Sequence, residues 1–114
     1  MLRCSSVSKS EPRQVRALTK ADKARGVKLR DLGCIVCLLH YGEETPPAIH
    51  HIDGQTKKNC HQLTIPLCPN HHQIKYNSSQ PRWISRHGDG RASFEEAYGT
   101  EQYLLDETNR LING

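Results

Sequence analysis

Long apolar runs are missing from this chain. Nowhere do eighteen consecutive apolar residues occur, so no membrane-spanning helix is expected. The opening stretch MLRCSSVSKSEPR likewise lacks the apolar core of a secretory signal. The expectation is a cytoplasmic protein with no membrane partner. Aromatic residues are scarce too, at one Trp, one Phe and four Tyr among 114 residues that are 35% hydrophobic overall. So few large apolar side chains make a thin core, and domains of this kind usually need a staple such as a structural metal.

Material for that staple is abundant: five Cys and seven His. In a reducing compartment an odd number of cysteines at short spacings favours metal ligation over disulfides. Cys34 and Cys37 form one pair separated by two residues, and Cys68 with His71 forms another. Such pairs let one turn of chain present both donors to a tetrahedral zinc. Three thiolates and one imidazole leave no open position, which makes the site structural and lets it close the loop of about 30 residues between the pairs. A redox CxxC would need a thioredoxin-like frame that is not evident, and a short zinc finger would have about twelve residues between its pairs. Cys4 and Cys60 have no such spacing and read as ordinary thiols.

Charge is uneven. Residues 1–33 carry nine Lys or Arg against three acids, a net of +6 within a total of +4. Residues 1–18 read as a basic, Ser-rich, disordered arm ahead of one domain at 19–114. Such an arm suits contact with phosphate backbones, and it equally suits a solvated tail that keeps a protein soluble.

Within 19–114 the pattern is α+β. Thr19 with Asp22 predicts a capped helix, with Ala21, Ala24, Val27, Lys28 and Leu32 as its stripe and Gly33 as its stop. From Cys34 to Cys68 the chain reads mostly as loop, apart from two strands, AIHHI at 48–52 and LTIPL at 63–67. Pro69 suits the first position of a short helix over NHHQIKY. Ser93 with Glu96 predicts a further helix, interrupted by Gly99, and a last segment carries Tyr103, Leu104, Thr108, Leu111 and Ile112 on one stripe.

Adjacent residues on a helix point about 100 degrees apart, so His71 and His72 do not fit one closed tetrahedron. Successive strand residues face opposite sides, so His50 and His51 diverge as well. One of that pair can meet His72 across a second metal while the other faces a substrate. Lys57, Lys58, Lys75, Arg82 and Arg86 are candidate phosphate contacts, and each is as easily a solvated charge.

These blocks, CxxC, then HHI on a strand, then LCxxHH at a helix start, resemble the HNH nucleases of the ββα-metal (His-Me finger) type. More closely, GCIVC, IHHI, IPLC followed by HH, and the late AYGTE resemble the phage recombination-enhancement nucleases, the Ref family, which act with RecA. The resemblance spans residues 19–114. It implies a small ββα-metal core stapled by zinc, with flanking helices. It also implies His50 and His72 as ligands of a catalytic Mg²⁺ or Mn²⁺, and His51 as general base. His61 lies near the place of the motif's usual Asn, with Asn59 two residues earlier. Where a third helix ligand would stand the chain has Tyr76, and His87 is the candidate substitute.

The implied function is a metal-dependent DNA endonuclease, nicking strands and working beside a RecA filament in recombination. The chemistry is coherent without the family. A neutral imidazole can take a proton from water near pH 7, and a divalent ion can polarise a phosphate and neutralise the departing oxygen. The alternative is a non-catalytic, zinc-stapled nucleic-acid adaptor with a degenerate second site.

Overall fold

Two short strands carry the centre of the molecule. In the computed structural model, which describes residues 17–74 and 82–113, β1 (Ala48–His51) pairs antiparallel with β2 (Thr64–Leu67). The register sets His50 opposite Ile65 and His51 opposite Thr64. Both strands fall inside the expected runs. Around them come α1 (Lys20–Leu32), a π-helical turn (Cys37–Tyr41), a 3-10 turn (Cys60–Gln62), α2 (Pro69–His72), α3 (Arg91–Tyr98) and α4 (Glu101–Asn113). The result is a small α+β fold with one two-stranded sheet.

The capping box at α1 forms as expected: Thr19 Oγ1 accepts from the Asp22 N–H at 3.1 Å, and the Asp22 carboxylate accepts from the Thr19 N–H at 2.9 Å. Gly33 ends the helix at φ +88°. The buried face, however, is Arg25 and Leu29, while Ala21, Ala24, Val27 and Lys28 of the expected stripe are exposed. Arg25 explains the rotation. Its Nε donates to Thr64 Oγ1 at 2.9 Å, its Nη2 to the Thr64 carbonyl at 2.6 Å and its Nη1 to Asn109 Oδ1 at 2.8 Å. A guanidinium with its fork filled can be buried, and this one pins α1 to β2 and α4.

The stretch after Gly33, expected as loop, instead turns helically from Ile35 to Tyr41 and is closed by Gly42 in the left-handed region at φ +63°. Helical winding is what brings Cys34 and Cys37 to one side. The late helices also start differently from expectation. α3 begins at Arg91 after Gly90, with no side-chain cap, so Ser93 and Glu96 lie inside it. Gly99 does break the pair of helices, at φ +105°, and Thr100 Oγ1 then accepts from the Tyr103 N–H at 3.0 Å to start α4. On α4 the buried side chains are Glu101, Leu104, Leu105 and Thr108, whereas Tyr103 and Leu111 are exposed.

The core joins Ile35, Val36, Ile65, Leu67, Phe94, Leu104 and Leu105 to Cys34, Cys37 and Cys68. It is as thin as the composition implied, and thiols form part of it. Among the described residues no helix is long and apolar enough to cross a membrane. The expected arm lies almost wholly outside the described residues, as do Lys75 and Tyr76.

Candidate metal centres and a histidine pair

Cys34, Cys37, Cys68 and His71 converge, all four buried. His71 Nδ1 lies 3.6 Å from Cys34 Sγ, 3.6 Å from Cys37 Sγ and 3.3 Å from Cys68 Sγ, and the Cys37 and Cys68 sulfurs are 3.9 Å apart. A tetrahedral zinc with ordinary bond lengths requires edges of about 3.6 Å between N and S and about 3.8 Å between two sulfurs. The cluster therefore already has the dimensions of a zinc site. A hydrogen bond from Cys34 holds the Cys68 thiol far below its usual range, to about 4, while Cys34 is pushed up by its bond to Cys68 and by burial, and Cys37 is pushed up by burial. The outer ring nitrogen of His71, Nε2, faces the Arg82 carbonyl at 3.2 Å, the kind of outer partner that fixes a ligating imidazole. Trp83 and Tyr98 pack on that ring at 4.9 and 5.0 Å, which makes Trp83 part of the core.

A second group sits one residue away. His50 from β1, His72 from α2 and His87 bring one ring nitrogen each to within 4.8 Å of one another. Their ring centroids form a near-equilateral triangle with sides of 5.1, 5.1 and 4.9 Å. The main chain holds this triangle: the His87 N–H donates to the His72 carbonyl and the Arg86 N–H to the His71 carbonyl, each at 2.8 Å. His50 is buried, His72 half-buried and His87 exposed, so the group opens to solvent on one side. Burial first, and then His50 and His87, push His72 down to about 4; His87 is lowered by the same kinds of cause. Neutral imidazoles at pH 7 are ready ligands.

Behind His50 stands a residue that sequence reading missed. Glu101, wholly buried at the first position of α4, places Oε2 2.5 Å from His50 Nε2, 3.0 Å from Arg86 Nε, and Oε1 3.2 Å from Arg91 Nε. Burial pushes its carboxyl up, but His50 and Arg86 outweigh it and the group titrates below the ordinary range. An acid in the first turn of a helix looks like a routine partner for the helix dipole. Nothing in its local spacing points to His50, 51 residues away.

On the other side of β1, His51 Nε2 lies 2.9 Å from His61 Nδ1, the rings crossing at 80°. The 3-10 turn delivers His61 there, buried, while Asn59 is exposed and holds a left-handed backbone at φ +65°. Burial, His61 and His50 together lower the pKa of His51. Both rings line a cavity of about 300 Å³ between α1 and β1.

Of the expected phosphate contacts, Lys57 and Lys58 are exposed, in the segment leading to His61. Arg82 is ion-paired with Glu43 and lies over the rings of Tyr41 and Trp83 at 4.1 and 4.4 Å. Arg86 is turned inward to Glu101. His40 bonds the Tyr98 carbonyl at 3.1 Å, a structural role.

The structure is that of a small α+β protein with two groups of Cys and His side chains that could hold a metal ion. The chain belongs to a family of nucleases: the model of the recombination-enhancement, RecA-dependent nucleases matches residues 18–113.

Proposed function

We propose that this protein is a metal-dependent endodeoxyribonuclease of the ββα-metal (HNH) type that nicks DNA during recombination in concert with RecA. The observation that carries the proposal is the division of labour at β1. His50 turns to two other imidazoles, while its neighbour His51 turns to His61 and an open cavity. Family membership supports DNA as the substrate and RecA as the partner.

In this reading Cys34, Cys37, Cys68 and His71 hold a structural Zn²⁺, and residues 19–114 form the nuclease domain behind a basic arm at 1–18. His50, His72 and His87 would hold the catalytic Mg²⁺ or Mn²⁺. Three nitrogen donors and no carboxylate favour Mn²⁺ over Mg²⁺, which prefers oxygen. When bound, the ion supplies charge neutralisation at the phosphate and the departing 3′ oxygen.

The chain's own groups do the rest. His51, neutral at pH 7, accepts a proton from a water molecule. The water oxygen forms a bond to phosphorus as the bond from phosphorus to the 3′ oxygen breaks, leaving a 5′ phosphate and a 3′ oxygen that takes up a proton. His61 orients the His51 ring. Lys57 and Lys58 would meet phosphates outside the cut, and Lys75 joins them by its place in the sequence.

The test is nicking of supercoiled circular DNA by wild type and His51→Ala, with Mn²⁺ or Mg²⁺ and with chelator. Cutting that survives His51→Ala sinks the assignment. Wild type that retards DNA but never cuts it, with or without RecA, favours the adaptor.

A further inference from the structure

The cavity beside His51 has walls that the proposed chemistry leaves unused. Lys23, Gly26, Val27 and Arg30 of α1 form one side, and Ile49 with His51 and His61 form the other. Gly26 stands in the middle of a 13-residue helix, where glycine weakens the helix relative to alanine. Its backbone is not among those with positive φ, so the conformation does not call for it. Space does. A Cβ at position 26 would lie 3.2 Å from Arg30 Nη1 and 3.7 Å from Nη2. The guanidinium of Arg30 therefore lies back across the bare Cα of Gly26, on the cavity wall.

Neither Arg30 nor Lys23 has an ion-pair partner among the described residues. The one acid on this wall, Asp22, is already engaged by the Thr19 N–H and by Gln62 Nε2. Beside these cations Val27 is 56% exposed, an apolar surface on the same wall. Seated on Gly26, the Arg30 guanidinium is level with a residue only about 4.5 Å along the helix axis from Lys23.

We propose that this cavity is a strand-binding site for DNA: Arg30, seated on Gly26, and Lys23 hold phosphates next to the one presented to His51, and Val27 with Ile49 takes the sugar edge beside them. The proposal rests on the endonuclease reading and names the wall that grips its substrate. Cations supply the charge that phosphates need, and apolar side chains suit the sugar and base edges between them.

Fluorescence anisotropy with a labelled single-stranded DNA of about 20 nucleotides tests it on the full chain, across a salt series. The double variant Lys23→Ala/Arg30→Ala is expected to bind about tenfold more weakly, and its salt slope should fall by roughly 1.4, the loss of two single-strand phosphate contacts. Gly26→Leu keeps both cations and fills the cavity. It should melt no lower than wild type, because leucine is the better helix former, yet bind as weakly as the double variant.

An unchanged salt slope in the double variant overturns the proposal. So does wild-type affinity in a folded Gly26→Leu, which also decides the matter should the double variant fail to fold. Cleavage separates the two readings. Wild type that cuts, with His51→Ala dead and the slope unchanged, refutes only this site. A slope that falls in a protein that never cuts keeps the site and refutes the nuclease.

Discussion

His50 Nε2 lies 2.5 Å from Glu101 Oε2, and both side chains are buried. Two ligands sharing one ion at ordinary bond lengths sit about 3 Å apart, so this shorter approach is a hydrogen bond and not a shared coordination edge. If Nε2 carries the proton and donates it, the lone pair of His50 is left on Nδ1. A carboxylate behind a ligating histidine fixes its ring and tautomer and raises its basicity. Here it also ties α4 to β1.

Glu101→Gln removes the charge at this hub and keeps its volume. Breaking a buried ion pair from one side is expected to cost about 3 kcal/mol of folding stability, read from urea unfolding. Affinity for Mn²⁺, measured by calorimetry on the folded variant, should drop between about 10-fold and 100-fold. If stability falls while Mn²⁺ affinity holds, Glu101 only braces Arg86 and Arg91.

The Cys34, Cys37, Cys68 and His71 group predicts one tightly held zinc and a protein that does not fold without it. The core is thin and the thiols are part of it, so removing the ion leaves little to close the segment between the pairs. Cys37→Ser is expected to lose stoichiometric zinc by elemental analysis, together with the cooperative thermal transition. The effect should reach the second group as well, because Arg86 and His87 hang from the carbonyls of His71 and His72. A Cys37→Ser protein that melts cooperatively at the wild-type temperature would refute the structural role.

Several of these relationships could be read in the residues alone. Ligand spacing fixes partners locally, so the CxxC and CxxH pairs announce their cluster, and doubled histidines must diverge on either a strand or a helix. Thr19 and Asp22 cap α1 because both groups sit within one turn. What escaped depended on distant chain. Arg25 is buried because Thr64 and Asn109 receive it, and hydrophobic pattern ranks an arginine as surface. The turn over 35–41 is short and closed by Gly42, which periodicity does not register. Glu101 and the seat that Gly26 offers Arg30 belong to the same class, visible only once the helices are in place.

The His51–His61 contact separates orientation from chemistry. His61→Asn retains a side chain able to bond a ring nitrogen and should keep most of the cutting rate, whereas His61→Ala should lower kcat roughly 100-fold with little change in KM. His51→Ala should abolish cutting while the His50, His72 and His87 group still binds Mn²⁺ in calorimetry. Equal rates for His61→Ala and wild type would remove His61 from the mechanism.

Stability without the catalytic ion should depend on pH in a defined direction. His72 is held at about 4 in the fold, and His51 and His87 are also lowered, against an ordinary value near 6.5. Well above pH 6.5 these rings are neutral in both the folded and unfolded chain and contribute no slope. As pH falls through 6.5, the unfolded chain takes up protons that the folded chain refuses, so the fold loses stability progressively down to about pH 4, where His72 protonates in place. Urea midpoints of protein carrying zinc but no second ion should therefore fall between pH 6.5 and 4. The His72→Gln variant should flatten that fall, since glutamine does not titrate. Added Mn²⁺ should raise the midpoint near pH 7 and lose its effect toward pH 4, because protons and the ion compete for the same nitrogens. A slope that is identical in wild type and His72→Gln would show that the proton uptake lies elsewhere.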